Sequence, residues 1–275
     1  MQLGIFSKTF SGAGPAEVLA KARAAGYECA QFNLTCAGLP AMPDTPVGSA
    51  DLAAIRDASA SSGVALVALS GTYNMIHPDP AVRADGLKRL GVVIEAARAL
   101  SIPLVTLCTG SRDANDMWHH HPDNATPEAW SDMITELGKA VELADAAGVD
   151  LGIEPEQANP VISADHALRM ISDLGSKRIR IILDPANLFE MATPDEARRI
   201  VADAVDKLAD RVSMAHGKDR AADGSFATVG KGVVDFPDFV ARLRAAGFDG
   251  PLVTHGLSAE EAPGVAAFLA RLIAS

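Results

Sequence analysis

The chain has 275 residues, 48% of them hydrophobic, which is enough to bury the core of one large α/β domain or two small ones. Its net charge is −11 and it has no basic run, which argues against a nucleic-acid partner and favours a small-molecule ligand. No apolar run approaches the roughly 20 residues of a membrane span and the N-terminus lacks a leader pattern, so we expect a cytoplasmic protein with no membrane partner.

Short apolar or β-branched runs alternate along the chain with longer segments of helical periodicity, the pattern of βα units around a parallel sheet. From the N-terminus, the predicted strands lie at 2–8, 29–33, 64–70, 103–108, 150–154, 179–184, 212–216 and 251–255. The predicted helices lie at 15–25, 50–62, 80–99, 127–147, 164–174, 194–208, 236–246 and 259–273.

Three of these helices begin with the same signal. Asp79, Thr126 and Thr193 each place an N-cap oxygen before a proline, which takes the first helical position without losing a hydrogen bond. Eight units in one chain of this length average about 34 residues each, close to the size of a βα unit in a barrel. The sequence therefore predicts a single (β/α)₈ TIM barrel domain over 1–275. An open doubly wound sheet is the alternative, but no GxGxxG turn follows the first strand.

Polar residues end the last four predicted strands, in "LGIEPE", "IILDPAN", "VSMAHGKD" and "PLVTHG". These are Glu154, Asp184, His216 and His255. The C-terminal ends of barrel strands form one face, so the four side chains are predicted to converge. Two close carboxylates repel without a counter-charge, whereas carboxylates with imidazoles suit a divalent cation, Mn²⁺, Co²⁺, Mg²⁺, Zn²⁺ or Fe²⁺. We expect one such metal ion; the alternative is that each residue only caps its strand or pairs with a neighbour.

Five segments together resemble the xylose isomerase-like TIM barrel superfamily, the sugar phosphate isomerase/epimerase group that includes the endonuclease IV branch. They are "GIEPE" (152–156), "LDPANL" (183–188), "AHGKD" (215–219), "GKGVVDF" (230–236) and "LVTHG" (252–256). The resemblance covers nearly the whole chain and is not specific for a substrate. It implies one divalent metal held by Glu, Asp, His and Glu on strands five to eight. Glu154, Asp184 and His216 match the first three ligands, and His255 occupies the place of the fourth.

Two positions depart from that pattern. His255 replaces a glutamate that ketose epimerases of the group use to pass a proton, so a symmetrical glutamate pair is missing and the imidazole is predicted as ligand, acid or base. Asn187 stands where many relatives carry a histidine that contacts substrate or, in endonuclease IV, a second metal. With the negative net charge, this loss argues against a DNA-repair enzyme.

The chemistry predicted from this set is proton transfer beside a carbonyl of a small sugar, keto-sugar or inosose, through a metal-stabilised enediolate. Glu154 or His255 is the predicted base, and the other returns the proton. Two further classes stay open: a metal-dependent lyase or hydrolase on a 3-keto-sugar, and a non-catalytic sugar-binding barrel. Barrels of the superfamily often pair, so a homo-oligomer is also open.

Other residues are predicted substrate contacts at the same rim, with Asn187 among them. Glu156 alternates with the metal-ligand glutamate and faces the same side. Lys218 stabilises oxyanion charge or binds a carboxylate, unless it pairs with Asp219. His77 precedes the third helix and either contacts substrate or packs the loop. The "GKG" turn at 230–232 offers backbone donors for a phosphate.

The segment "MWHHHPDN" at 117–124 lies in a predicted loop of about 17 residues after the fourth strand. Adjacent histidines point in different directions, so this run is a poor chelate. Long βα loops are typical of lids and binding elements. We expect Trp118 to stack on a sugar ring and His119 or His121 to reach its hydroxyl groups. The alternative is a polar surface turn.

Overall fold

Eight parallel strands close into a barrel in the computed structural model, which describes residues 1–275, and eight helices surround it. The barrel strands are β1 (Gln2–Phe6), β2 (Cys29–Phe32), β3 (Ala65–Ser70), β4 (Leu104–Leu107), β5 (Asp150–Ile153), β6 (Ile179–Leu183), β7 (Val212–Gly217) and β10 (Pro251–Thr254). Strands β8 (Asp219–Arg220) and β9 (Phe226–Ala227) form a separate antiparallel hairpin, which the sequence did not predict. The predicted TIM barrel is confirmed.

The helices are α1 (Pro15–Ala24), α2 (Ser49–Ser62), α3 (Pro80–Ala99), α4 (Pro127–Ala147), α5 (Ala164–Leu174), α6 (Pro194–Leu208), α7 (Phe236–Ala245) and α8 (Ala262–Ala274). The last begins three residues later than predicted, because the Ser258 N–H donates to Glu261 Oε2 at 2.9 Å and closes a turn there. None of the helices combines the length and the apolar run that crossing a bilayer requires.

The predicted helix starts are built as expected. Asp79 Oδ1 accepts from the Ala81 N–H at 2.8 Å, and Thr126 Oγ1 accepts from the Ala129 N–H at 3.2 Å. Both bonds satisfy donors that the first turn of a helix otherwise leaves free. The predicted N-cap residues therefore set where α3 and α4 begin, after the loops at the C-terminal end of the barrel.

A small apolar cluster fills the inside of the barrel, separate from the larger core: Ala68, Leu104, Ile182, Met214 and Val253. Two residues after the last three members stand Asp184, His216 and His255. Side chains two positions apart in a strand face the same side. The alternation that packs the barrel interior therefore also aims these polar groups inward at its C-terminal end.

Helix α3 approaches the loop after β3 closely at a glycine. A Cβ at Gly86 would overlap the ring of Tyr73, whereas a Cβ at Gly91 on the same helix would lie 3.6 Å from Leu143 Cδ1, an ordinary contact. We expect Gly86→Ala to lower the free energy of unfolding by about 1–3 kcal/mol through overpacking. Gly91→Ala should raise it by about 0.5–1 kcal/mol, because alanine favours a helix. Urea unfolding measures both, and equal effects would contradict the prediction.

Candidate metal centre

Three ionisable side chains meet at the C-terminal ends of adjacent strands. Glu154 follows β5, Asp184 follows β6 and His216 lies within β7. One ligand atom from each lies within 4.8 Å of the other two. His216 Nδ1 is 3.4 Å from Glu154 Oε1 and 3.4 Å from Asp184 Oδ2. The structure therefore brings together three of the four residues that the strand ends suggested.

The atoms of this group fit a divalent cation. Asp184 Oδ2 and His216 Nδ1 are buried and have no hydrogen-bond partner. Burying a polar atom without a partner costs about 1–3 kcal/mol, and a bound cation would remove this cost. The other carboxylate oxygen of Asp184 accepts from the Ala186 N–H at 2.9 Å, which leaves Oδ2 directed at the group. Carboxylate oxygens and an imidazole nitrogen are ligands that Mn²⁺, Co²⁺, Zn²⁺ and Fe²⁺ accept.

Gln31 on β2 orients the imidazole of His216. Its Oε1 atom lies 3.1 Å from His216 Nε2, and its Nε2 atom donates to Ser70 Oγ and Thr106 Oγ1, both at 3.2 Å. Because the amide N–H groups are used by the two hydroxyls, the amide oxygen faces the ring and accepts the proton of His216 Nε2. This arrangement leaves Nδ1 as the ligand atom. Gln31 was not predicted as a site residue, because its only signal in the sequence is that it is a polar residue inside the apolar strand "CAQF".

The protonation states of the group depend on one another. Burial alone would lower the pKa of His216, but the negative charges of Glu154 and Asp184, each 3.4 Å from Nδ1, raise it to about 9. Burial alone would raise the pKa of Glu154, but the charge of His216 lowers it to about 2. In the absence of a cation the imidazole therefore holds a proton at neutral pH, and this proton supplies positive charge to the two carboxylates.

His255 stands beside the group of three rather than within it. Its ring stacks between Phe6, at a centroid distance of 5.2 Å, and His216, at 5.3 Å. Its Nδ1 atom is buried without a partner. Burial and the charge of His216 lower the pKa of His255 to about 4, so its imidazole is neutral at pH 7. Whether it is a ligand, an acid or a base stays a prediction.

Hydrogen bonds join Glu154 to two further polar side chains, Asn187 and Lys218. Asn187 Nδ2 donates to Glu154 Oε1 at 2.6 Å, and Lys218 Nζ donates to Asn187 Oδ1 at 3.0 Å. Glu156 stands on the same wall, and its burial together with the charge of Glu154 raises its pKa to about 7. Four of the residues suggested from the sequence therefore line one side of the centre.

These residues form the floor of a cavity of about 860 Å³ at the C-terminal end of the barrel. Trp118, His119 and His120, from the loop between β4 and α4, line it. His121 does not; its Nδ1 atom accepts from the Asp123 N–H at 3.2 Å, at the start of a short 3₁₀ helix. The histidine run therefore divides between the cavity wall and the structure of its own loop.

Two further sequence candidates have their polar atoms occupied inside the protein. His77 does not line the cavity: its Nδ1 accepts from the Asp79 N–H at 3.0 Å, and its Nε2 lies 3.2 Å from a backbone carbonyl. In the "GKG" turn, the N–H groups of Gly230 and Gly232 both donate to Asp219 Oδ2 at 2.9 Å. Asp219 therefore fills the place of a phosphate in that turn, and it is not the partner of Lys218.

Comparisons with known proteins match the barrel over most of the chain. The family profile of the xylose isomerase-like TIM barrel matches residues 19–272. An L-ribulose 3-epimerase of Mesorhizobium japonicum is 28% identical over 249 residues, which cover 88% of this chain and 75% of that protein. The solved structure of an L-ribulose 3-epimerase has a TM-score of 0.77 at 22% identity and covers 99% of this chain and 94% of that one. A 3-keto-D-glucoside 4-epimerase from E. coli has a TM-score of 0.76 at 17% identity, with all of both chains covered.

The role of Gln31 predicts an effect on cation affinity. Gln31→Met removes the acceptor for His216 Nε2 and should weaken Co²⁺ or Mn²⁺ binding by about 10–100-fold, the usual effect of losing such a partner. Gln31→Glu keeps an oxygen at this place and should retain the affinity. Titration of chelator-treated protein measures both. Equal loss in the two variants would show that Gln31 acts through packing instead.

The raised pKa of His216 predicts a pH dependence of cation binding. Since Nδ1 must lose its proton to become a ligand, binding to chelator-treated protein at pH 7 should release about one proton. The apparent affinity should rise about tenfold per pH unit from pH 7 and level off above the pKa of about 9. Calorimetry in buffers of different ionisation heat counts the protons. An affinity that does not change between pH 7 and 9 would contradict this assignment.

Proposed function

Because the chain belongs to the xylose isomerase-like TIM barrel family, we propose that it is a divalent-metal-dependent isomerase or epimerase. Its substrate is a small sugar, keto-sugar or inosose, and the reaction moves a proton on a carbon beside the carbonyl. The proposal depends mainly on the group of Glu154, Asp184 and His216, in which Glu154 and His216 line a large cavity and Asp184 is buried behind them. The similarity to an L-ribulose 3-epimerase supports the class of reaction.

Glu154, Asp184 and His216 would hold the cation, whose positive charge would stabilise the enediolate that deprotonation of the substrate produces. Asn187 keeps the Glu154 carboxylate in one orientation, because it donates to Oε1 and is itself held by Lys218. The ordered carboxylate can then meet the substrate carbon without first losing rotational freedom.

His255 is proposed as the partner of Glu154 in proton transfer. It is neutral at pH 7, and its Nδ1 atom has no partner in the protein. Glu154 and His255 both line the cavity, so each can approach a bound carbon. The group that takes the proton from the substrate carbon becomes protonated. Return of that proton to the neighbouring carbon yields an isomer, whereas its transfer to the other group and delivery to the opposite face of the original carbon yields an epimer.

The remaining polar side chains of the cavity floor are proposed to bind the sugar. Glu156, Asn187 and Lys218 offer an acceptor, an amide and a cation for hydroxyl groups or for the developing oxyanion. Trp118 offers an aromatic face at the mouth. Both ring nitrogens of His77 and the Nδ1 atom of His121 are engaged by loop backbone, and we assign these two residues to loop structure.

The proposal is tested by proton exchange in heavy water. Metal-replete protein is incubated with L-ribulose, other ketoses, inososes and 3-keto-glucose, and NMR follows deuterium at the carbon beside each carbonyl. We expect deuterium incorporation with an epimer or isomer as product, loss of activity on chelation and its recovery with Mn²⁺ or Co²⁺. Glu154→Gln and His255→Gln should each lower kcat by about 10²–10⁴-fold, the usual contribution of an acid or base.

Two measurements separate the alternatives. His255→Gln should leave the cation affinity nearly unchanged, whereas a fall comparable to that of Asp184→Asn would make His255 a ligand. A product lacking a fragment of the substrate would identify a lyase or hydrolase instead of an isomerase. Absence of exchange with every substrate in metal-replete protein would refute proton transfer.

A further inference from the structure

The mouth of the cavity collects the most exposed apolar side chains of the protein. Met191, Phe226 and Trp118 are 70%, 60% and 53% exposed, and no other large apolar side chain exceeds 43%. All three line the cavity, although they come from the loops after β6 and β4 and from the β8–β9 hairpin. The other exposed apolar side chains lie on the outer helices. Apolar groups gathered at one opening are typical of a ligand-binding surface.

One sugar ring does not fill this space. The cavity of about 860 Å³ is near the upper end of the roughly 300–1,000 Å³ that pockets for drug-sized ligands span. The groups that can bind hydroxyls, Asn187 and Lys218 among them, are buried at the floor. At the opening the charges are mixed, with Lys8, Glu190 and Asp223 all exposed, so neither an anionic nor a cationic extension is favoured there.

Phe226 is held in place as a wall of the opening. Lys218 Nζ lies 4.0 Å and Arg220 Cζ 4.6 Å from its ring centroid, within the range of cation–π contacts. Arg220 is itself fixed, since it donates to the carbonyls of Ala186 and Gly224, both at 2.9 Å. The ring is held in place and yet mostly exposed. An apolar group can therefore pack against it without the cost of first ordering the side chain.

We propose that the substrate is a sugar carrying a neutral apolar group of about the size of a phenyl ring. The sugar lies on the polar floor, and the apolar group lies against Trp118, Met191 and Phe226. This inference rests on the proposed function, because it places the sugar over the residues that transfer the proton. Lys218 links the two parts of the site, since it bonds to Asn187 at the floor and contacts the Phe226 ring.

Binding of phenyl and methyl D-glucopyranosides, as α and β anomers, tests the inference. Neither compound has a free carbonyl, so affinity is measured without turnover, in protein loaded with Mn²⁺. We expect the phenyl glycoside of one anomer to bind at least about tenfold tighter than the methyl glycoside, from the apolar area it buries. Phe226→Ala and Trp118→Ala should each remove most of this preference. Ile200→Ala, an exposed apolar side chain on α6, should leave it unchanged.

Two outcomes overturn the inference: equal affinity for the phenyl and methyl glycosides, or a preference that survives in both rim variants. If the preference is absent and Phe226→Ala converts a dimer to a monomer in ultracentrifugation, the rim is an interface between copies of the chain, which also overturns it. A phenyl preference without proton exchange on any sugar supports the apolar subsite and contradicts the proposed function. Exchange on free ketoses without a phenyl preference supports the proposed function and contradicts the apolar subsite.

Discussion

Glu154 and Asp184 bring two negative charges to one imidazole in a buried site. The side chain of Asp184 is fully buried and that of Glu154 is 13% exposed, so water screens their repulsion weakly. Such a pair needs a positive partner to stay ionised. A proton on His216 fills this need in the absence of a cation, and a divalent cation fills it with twice the charge. The surrounding side chains and backbone groups are arranged so that positive charge can be held at this point.

Two neighbouring groups each form a hydrogen bond with one polar atom of a candidate metal-binding side chain and leave its other polar atom free. Gln31 engages Nε2 of His216, and the Ala186 N–H engages Oδ1 of Asp184. What remains are Nδ1 and Oδ2, the two atoms without partners. Gln31 comes from β2, which β1 and β10 separate from the strand of His216, and the Ala186 N–H comes from the turn after β6. Both groups are held by backbone that packs on the apolar core, so the free atoms have fixed directions. Preorganisation of this kind spares the site the cost of ordering its ligands when a cation binds.

The features found from the sequence are those that depend on local pattern. The alternation of apolar runs predicted the barrel, and the polar residues at the ends of three of these runs predicted that Glu154, Asp184 and His216 meet. Gln31 was not found because its partners Ser70 and Thr106 are 39 and 75 residues away in the chain, and only barrel closure brings them together. The roles of the loop residues were even less predictable from the sequence. Nothing local distinguishes His120, which lines the cavity, from His121, which caps a turn.

A histidine at position 255 makes the two proposed proton carriers, Glu154 and His255, unequal. A proton on Glu154 gives a neutral acid, whereas a proton on His255 gives a cation that stacks on His216, with ring centroids 5.3 Å apart. Burial is the largest cause of the lowered pKa of His255, and it disfavours that cation even when His216 is neutral, so a proton placed on His255 is readily passed on. We therefore expect Glu154 to hold the proton longer and His255 to carry it transiently. In an enzyme with two glutamates the two faces of the substrate carbon would be nearly equivalent; here the chain itself distinguishes them.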